Sequence, residues 1–264
     1  MQTRGARRSR LGLREEVEAY LFLAPWVAGF LLFILGPILA SGYLAFTDYS
    51  ILEPPSFVGL ANLRKMFLRD ELFWQALKVT ANYTLASVPL GVLLGFALAL
   101  LLNQNVRGQS LFRTVFYMPS VVSGVAVAVM WLWVFQPDLG IVNTALGLIG
   151  ITGPNWLGDP DWAMPTFVVI SLWGIGGGML IYLAGLQSVP THLYEAAELD
   201  GAGSWQKLLY ITLPMTSPVI FFNLLMGMIG SWQVFTGAYV LTNGGPANAT
   251  LFYVLYLYRN GWQY

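Results

Sequence analysis

The sequence predicts an all-α, polytopic membrane protein, and three observations predict it. Hydrophobic residues make up 56% of the 264-residue chain and charged residues only 10%, where a soluble domain carries about a quarter charged. Five long runs hold no Asp, Glu, Lys, Arg or His, and each reaches the ~20 residues that cross the hydrocarbon core of a bilayer. The basic residues are unevenly placed: Arg4, Arg7, Arg8, Arg10 and Arg14 crowd ahead of the first run, while residues 136–162 contain neither Lys nor Arg. Such asymmetry is topological information rather than a nucleic-acid footprint, so membrane lipid and not nucleic acid is the expected surrounding.

Residues 1–19 form a basic tail, and 20–46 the first membrane helix; this run is too long for a secretory h-region of about 7–15 residues. Pro25 and Pro37 lie inside it as expected kinks. Residues 47–75 are expected as an external loop, with Pro54-Pro55 opening an extended piece and 62–76 a short amphipathic helix. From residue 76 onward the chain reads as one membrane core. Its second run, 81–102, ends at Asn103-Gln104-Asn105, and a short turn through Arg107 and Gly108 leads to the third, 114–135, as an antiparallel neighbour. Residues 136–162 read as a loop rich in Gly, Pro, Asn and Asp. The fourth run, 164–186, contains Gly176-Gly177-Gly178, read as close packing or a hinge because a phosphate site at membrane depth is not expected. A fifth run covers 218–241, followed by Asn243-Gly244-Gly245-Pro246 and a Tyr-rich end without a further apolar run.

With the N-terminus inside, Lys and Arg near the span ends number eight inside against five outside, which orients the tail toward the cytoplasm. Ionisable groups within the spans, which proton- and ion-coupled carriers keep at a cost of several kcal/mol, are absent from the sequence. No Gly-rich loop ends in Gly-Lys-Ser or Gly-Lys-Thr, so the chain carries no phosphate cradle of its own. One histidine, His192, and no cysteine leave metal and triad chemistry unsupported, and no catalytic or metal-ligating set is expected. Any energy source is expected on another subunit.

Between runs four and five lies a polar island, residues 188–213. Pro190 ends the fourth helix, and Thr191 is the expected N-cap of a short helix on which Leu193, Ala196, Ala197 and Asp200 share a face. Glu195 and Glu198, three apart, share a neighbouring face open to a basic partner. Gly201 stands where a left-handed C-cap is needed. Asp200 is unfavourable at a helix C-terminus and is expected to bond backbone N–H groups at the start of the next helix. That helix is expected to begin near Ser204, to present Trp205, Leu208 and Leu209 on one side, and to end at Leu213-Pro214. An amphipathic loop that only covers its own helix ends would share most of these features.

Glu195-Ala196-Ala197, Asp200-Gly201-Ala202, nine residues between Gly201 and Ile211, then Leu213-Pro214 and Pro218, strongly resemble the EAA loop of ABC importer permeases. Phe57-Val58-Gly59-Leu60-Ala61-Asn62, Tyr117-Met118-Pro119, Leu183-Ala184-Gly185-Leu186-Gln187 and Thr242-Asn243-Gly244-Gly245-Pro246 are similar to the maltose-permease-F-like branch, which imports sugars, polyols and glycerol phosphates. The likeness covers nearly the whole chain. It implies a type I ABC importer permease fold of six helices, and against these five the family's sixth helix is missing. It further implies a non-catalytic subunit of the bacterial cell (inner) membrane, paired with a second permease as a heterodimer, two ATPase subunits and a solute-binding protein. No cofactor would be bound directly, since ATP and Mg sit on the ATPase. Glu195 would dock there and Gly201 would give the bend; Leu208 stands where the family usually has an aromatic residue. The solute would be of the sugar class. A permease for amino acids, peptides or ions, or a non-transporting membrane scaffold, are the alternatives.

The substrate path is drawn from side-chain type. Asn223, Gly227 and Ser231 repeat every four residues on the fifth run, with Gln233 beyond, and Ser171 and Gly174, with Gly178, mark one face of the fourth. Hydroxyl and amide groups there could bond sugar hydroxyls while Trp173 or Trp232 stacks on the ring. Small and polar residues also serve helix packing in membranes, and that reading stands beside the first.

Overall fold

A computed structural model describes residues 10–50, 53–104 and 107–263. Arg4, Arg7 and Arg8 of the basic tail, Asn105 and Tyr264 lie outside the described residues. The chain divides into two units, one ending at Asp70 and one beginning at Glu71.

The first unit is an apolar helix followed by a hairpin and a short amphipathic helix. Helix α1 (Arg10–Phe30) passes through a π-helical stretch, Leu31–Leu35, into α2 (Gly36–Leu44). Pro37 has no N–H to return to the carbonyl four residues back. The wider register before it answers that loss, with the Gly36 N–H donating to the Leu31 carbonyl. Residues 14–44 are together long and apolar enough to cross a membrane. Beyond them β1 (Thr47–Ser50) and β2 (Glu53–Phe57) pair antiparallel, with Thr47 opposite Phe57; the Pro54-Pro55 extended piece is a strand of this hairpin, the one sheet among the described residues. Asn62 holds the hairpin to the helix end by donating to the carbonyls of Ala45 at 3.1 Å and Thr47 at 2.8 Å. The amphipathic helix α3 covers Ala61–Arg69 rather than 62–76, because Asp70 is extended (φ −98°, ψ 96°) and interrupts it.

In the second unit the spans are longer, and less straight, than the apolar runs. Helix α4 (Glu71–Leu102) is 32 residues long, beginning ten residues before the run at 81. Thr80 does not oppose this extension, since its hydroxyl donates to the carbonyl four residues back at 2.8 Å, as that of Thr84 does inside the run. The third run is not one helix. Helix α5 (Gln109–Tyr117), a 3₁₀ turn (Met118–Val121) and α6 (Gly124–Val134) enclose a bend of 99°, where Pro119 withholds a donor and Val122 and Ser123 are extended. The loop at 136–162 contains a helix, α7 (Ile141–Leu148). Helix α8 (Pro160–Leu172) begins inside that loop because Asp159 caps it, accepting from the Asp161 N–H at 2.8 Å, with Pro160 at the first position. A 46° bend separates it from α9 (Gly176–Gln187).

After the island helix α10 (Thr191–Leu199), the fifth span runs through α11 (Ser204–Lys207), a π-helical stretch (Leu208–Thr212) and α12 (Leu213–Trp232). It covers 204–232 and not 218–241. Pro214 again follows a π-helical stretch, and the carbonyl that Pro218 leaves free is taken by the Ser217 hydroxyl at 2.8 Å. After Gln233 the chain turns into a π-helical stretch (Ala238–Thr242), then α13 (Tyr253–Tyr258) and a last π-helical stretch, Arg259–Gln263. Among the described residues of the chain, three helices are long and apolar enough to cross a membrane, or up to five if each bent pair forms one span.

Two cores hold this unit together. Phe96, Ala99 and Leu102 of α4 pack with Met179, Tyr182, Leu183 and Leu186 of α9, and Leu208 and Leu213 close over them. At the other end Phe252, fully buried, meets Tyr83 and Phe167 with ring centroids 5.0 and 5.4 Å away. A polar seam ties the helices between these cores. Thr84 and Ser231 share a buried hydrogen bond of 2.9 Å, and the Tyr253 N–H donates to the Thr80 hydroxyl at 2.9 Å.

Candidate functional site

Between the two cores α4, the α8–α9 bend and α12 leave a cavity of about 320 Å³. Its wall is a small and polar stripe from each helix. Tyr83, Ser87 and Gly91 come from α4; Ser171, Gly174, Gly178 and Tyr182 from the bent pair; Asn223, Gly227 and Ser231 from α12. The four-residue spacing that marks α12 in the sequence therefore does place its residues on one cavity face. The same spacing at 83, 87 and 91 was the signal for α4, and the sequence reading missed it.

Within the wall the polar groups differ in what they can offer. Tyr83, Ser87 and Ser171 each bring a hydroxyl to the wall, a set of donors and acceptors. Ser171 donates to the Val168 carbonyl at 2.7 Å. Asn223 donates its amide to the Val219 carbonyl at 3.0 Å, leaving its oxygen toward Gly178. Ser231 borders the cavity, but its hydroxyl is engaged with Thr84 and the Met228 carbonyl, so it braces helices. Among the described residues, none that lines the cavity is charged.

Trp173 and Gln233 do not line this cavity. Trp173 is set edge-on to Trp131 at 5.9 Å, and Gln233 is the exposed residue that ends α12. Trp232 lies near Tyr253, with centroids 6.5 Å apart. The rings on the cavity are Tyr83 and Tyr182, each held by an edge-on phenylalanine, Phe252 and Phe96. The aromatic faces that the cavity offers are therefore those of tyrosines.

The glycine run at the α8–α9 bend serves close approach. A Cβ on Gly176 would stand 1.8 Å from the Phe116 carbonyl oxygen, so backbone meets backbone here. Gly177 has only ordinary contact, with Ser120 at 3.5 Å.

The island folds as two helices around a tight turn. Pro190, extended at φ −63° and ψ 130°, is the N-cap of α10, and Thr191 is its first helical residue instead of the cap. At the other end Gly201 takes φ +79°. Its N–H reaches the Glu198 carbonyl at 3.0 Å and that of Ala202 reaches Ala197 at 2.8 Å, the paired bonds of a Schellman cap. Asp200 does not cap the following helix. That role belongs to Gln206, whose side-chain oxygen accepts the Gly203 N–H at 2.7 Å, while no side-chain hydrogen bond forms from Asp200 among the described residues.

The two glutamates part company. Glu198 pairs with Lys207 at 2.6 Å. Glu195 stays exposed with no ion pair among the described residues. Trp205 and Leu209 face outward while Leu208 and Leu213 turn into the core, so the three apolar residues of the second helix do not share one side. On the island Ala196, Leu199 (90% exposed) and Trp205 (74%) are exposed, and Ala197 and Ala202 are half-buried.

Comparison with known proteins gives a consistent result. The family model described as binding-protein-dependent transport system inner membrane component matches residues 88–263. A probable ABC transporter permease of Bacillus subtilis, YesP, is 43% identical over 98% of this chain and 84% of its own length. The lactose transport system permease LacF of Rhizobium radiobacter is 38% identical, over 96% of this chain and 86% of its own. The trehalose/maltose permease MalF of Thermococcus litoralis is 34% identical, over 92% and 82%. Among solved structures, a bacterial ABC transporter involved in import of the acidic polysaccharide alginate aligns with a TM-score of 0.82 and 28% identity, over 97% of this chain and 88% of that one.

Proposed function

Since the chain belongs to the family of binding-protein-dependent transport system inner membrane components, we propose that it is a translocation subunit of an ABC importer for a sugar-class solute. The cavity carries the solute reading. Its hydroxyls, its one amide and its two tyrosine rings suit a polyhydroxylated solute, whose hydroxyls need hydrogen bonds and whose ring faces need apolar contact. The named sugar permeases among its relatives and the alginate importer, which has also been solved with its sugar-bound periplasmic protein, support the same class.

Power comes from outside the chain in this reading. Helix α10 is the coupling helix: exposed Glu195 meets a basic group of an ATPase subunit, and Ala196 and Ala197 let that surface approach closely. Ala202, Leu199 and Trp205 extend the contact. A second permease completes the translocation path, a solute-binding protein delivers the solute, and the N-terminus lies in the cytoplasm. ATP and Mg belong to the ATPase, so hydrolysis is not this chain's chemistry. A ligand of coupling must favour one conformation over the other, and the α10 surface is where ATPase closure can do so.

The test is co-expression with the ATPase, second permease and binding protein of the same system, followed by ATP-dependent uptake in proteoliposomes. Labelled lactose, maltose, trehalose and arabino-oligosaccharides form one panel, and amino acids and a dipeptide the other. Uptake confined to the sugar panel is expected; uptake confined to the other panel overturns the solute class, and no ATP-dependent uptake of anything overturns the transport reading.

A further inference from the structure

Helix α10 has no fully buried residue, and with Leu193, Tyr194 and Ala197 only half-buried its apolar packing seats it weakly. Instead, two side-chain ties join it to the foot of the fifth span. Glu198 accepts from Lys207 at 2.6 Å, and the Tyr194 hydroxyl shares a hydrogen bond of 3.0 Å with that of Thr212. Tyr194 and Glu198 stand four apart on α10, which puts them on one face.

Their partners stand five apart, and the π-helical stretch Leu208–Thr212 brings them together. The Thr212 hydroxyl donates to the Lys207 carbonyl at 3.3 Å, five residues back. A regular α-helix would offset residues five apart by more than a full turn. The widened register is therefore what lets one face of α10 grip both Lys207 and Thr212. No tie of this kind runs from α10 to α9 among the described residues.

We infer that Tyr194, Glu198, Lys207 and Thr212 form a clamp that fixes α10 to the foot of the fifth span, making them positioning residues for energy coupling. Movement of α10 then drives the fifth span directly, and with it Asn223 and Gly227 in the cavity wall. The clamp keeps Glu198 for internal use and leaves Glu195 as the carboxylate for the partner. The inference rests on α10 being the coupling helix, as proposed above.

The assembled complex in proteoliposomes provides the test, read as ATP hydrolysed per labelled sugar accumulated, with the sugar that the wild-type complex takes up. Glu198→Lys and Lys207→Glu alone should each raise that ratio about five- to tenfold, the size of ordinary allosteric coupling, and the double reversal should restore it. Because the chain has no cysteine, a Glu198→Cys/Lys207→Cys pair adds an independent arm: uncoupled when free, recoupled when bridged by a short bismaleimide. Singles without effect, a double reversal no better than the singles, or a bridge that stops transport would each overturn the clamp. Glu195→Lys, run alongside, separates the two levels. If it uncouples and the reversal does not restore, only the clamp fails; if it leaves the ratio unchanged, the assignment of α10 itself fails.

Discussion

Gly176 lies where α9 crosses α5 with no room for a side chain. Gly176→Ala would drive a methyl into the Phe116 backbone, which cannot yield without parting the helices, and should destabilise the protein by roughly 3 kcal/mol. Gly177→Ala meets only ordinary contact and should be close to neutral; thermal unfolding in detergent distinguishes them. Gly201 carries a different constraint, a left-handed φ with open space around it. Alanine there should cost about 1–2 kcal/mol of local strain, read as faster hydrogen exchange across residues 197–204. The sequence reading placed Gly201 correctly, because a cap glycine follows from helix geometry alone. It could not say which of three consecutive glycines is packed, since that depends on how α5 meets α9.

At the scale of elements, apolar run length located the spans but not their ends or breaks. Helix α4 starts at Glu71 with Gln75, Lys78 and Thr80 in its first turns, the Thr80 hydroxyl turned onto its own backbone, so its polar start looks like loop in a hydropathy reading. The third run remains apolar through the 99° bend, and Pro119 with Ser123 and Gly124 gave only local hints of it. Of the two prolines expected to kink the first run, Pro25 lies inside an unbroken α1 and Pro37 follows a π-helical stretch; Pro214, expected to end the island's second helix, instead sits within a continuous span behind a second such stretch. The seam between α4 and α12 can be weighed directly. A double-mutant cycle of Thr84→Val and Ser231→Ala should give a coupling of about 0.6 kcal/mol, the usual size for interhelical hydrogen bonds in membranes.

On the scale of the whole molecule, a polar cavity lies between two tightly packed cores, and an exposed helix is tied to one of its walls. Much of that cavity was legible as residue type at four-residue spacing on the fourth and fifth runs. Its α4 wall, and the exclusion of Trp173 and Gln233, depend on which way each helix faces. Asn223→Leu removes the amide from the wall and should lower solute uptake about ten- to hundredfold, the loss expected when a polar partner goes unpaired, while the subunits still assemble. The proposal of an external energy source rests on the five apolar runs, which hold no Asp, Glu, Lys, Arg or His. The different settings of Glu195 and Glu198 were not legible, because the ion pair of Glu198 with Lys207 forms only once the turn at Gly201 brings the two helices together.

The central claim is that α10 carries the drive for transport, and Glu195→Lys tests it most directly. In complexes reconstituted with ATPase, second permease and binding protein, subunit stoichiometry and ATP-dependent sugar uptake are measured together. The expected result is intact assembly with uptake reduced about tenfold or more, in line with loss of a charge-assisted contact. Intact assembly with uptake equal to wild type would contradict it.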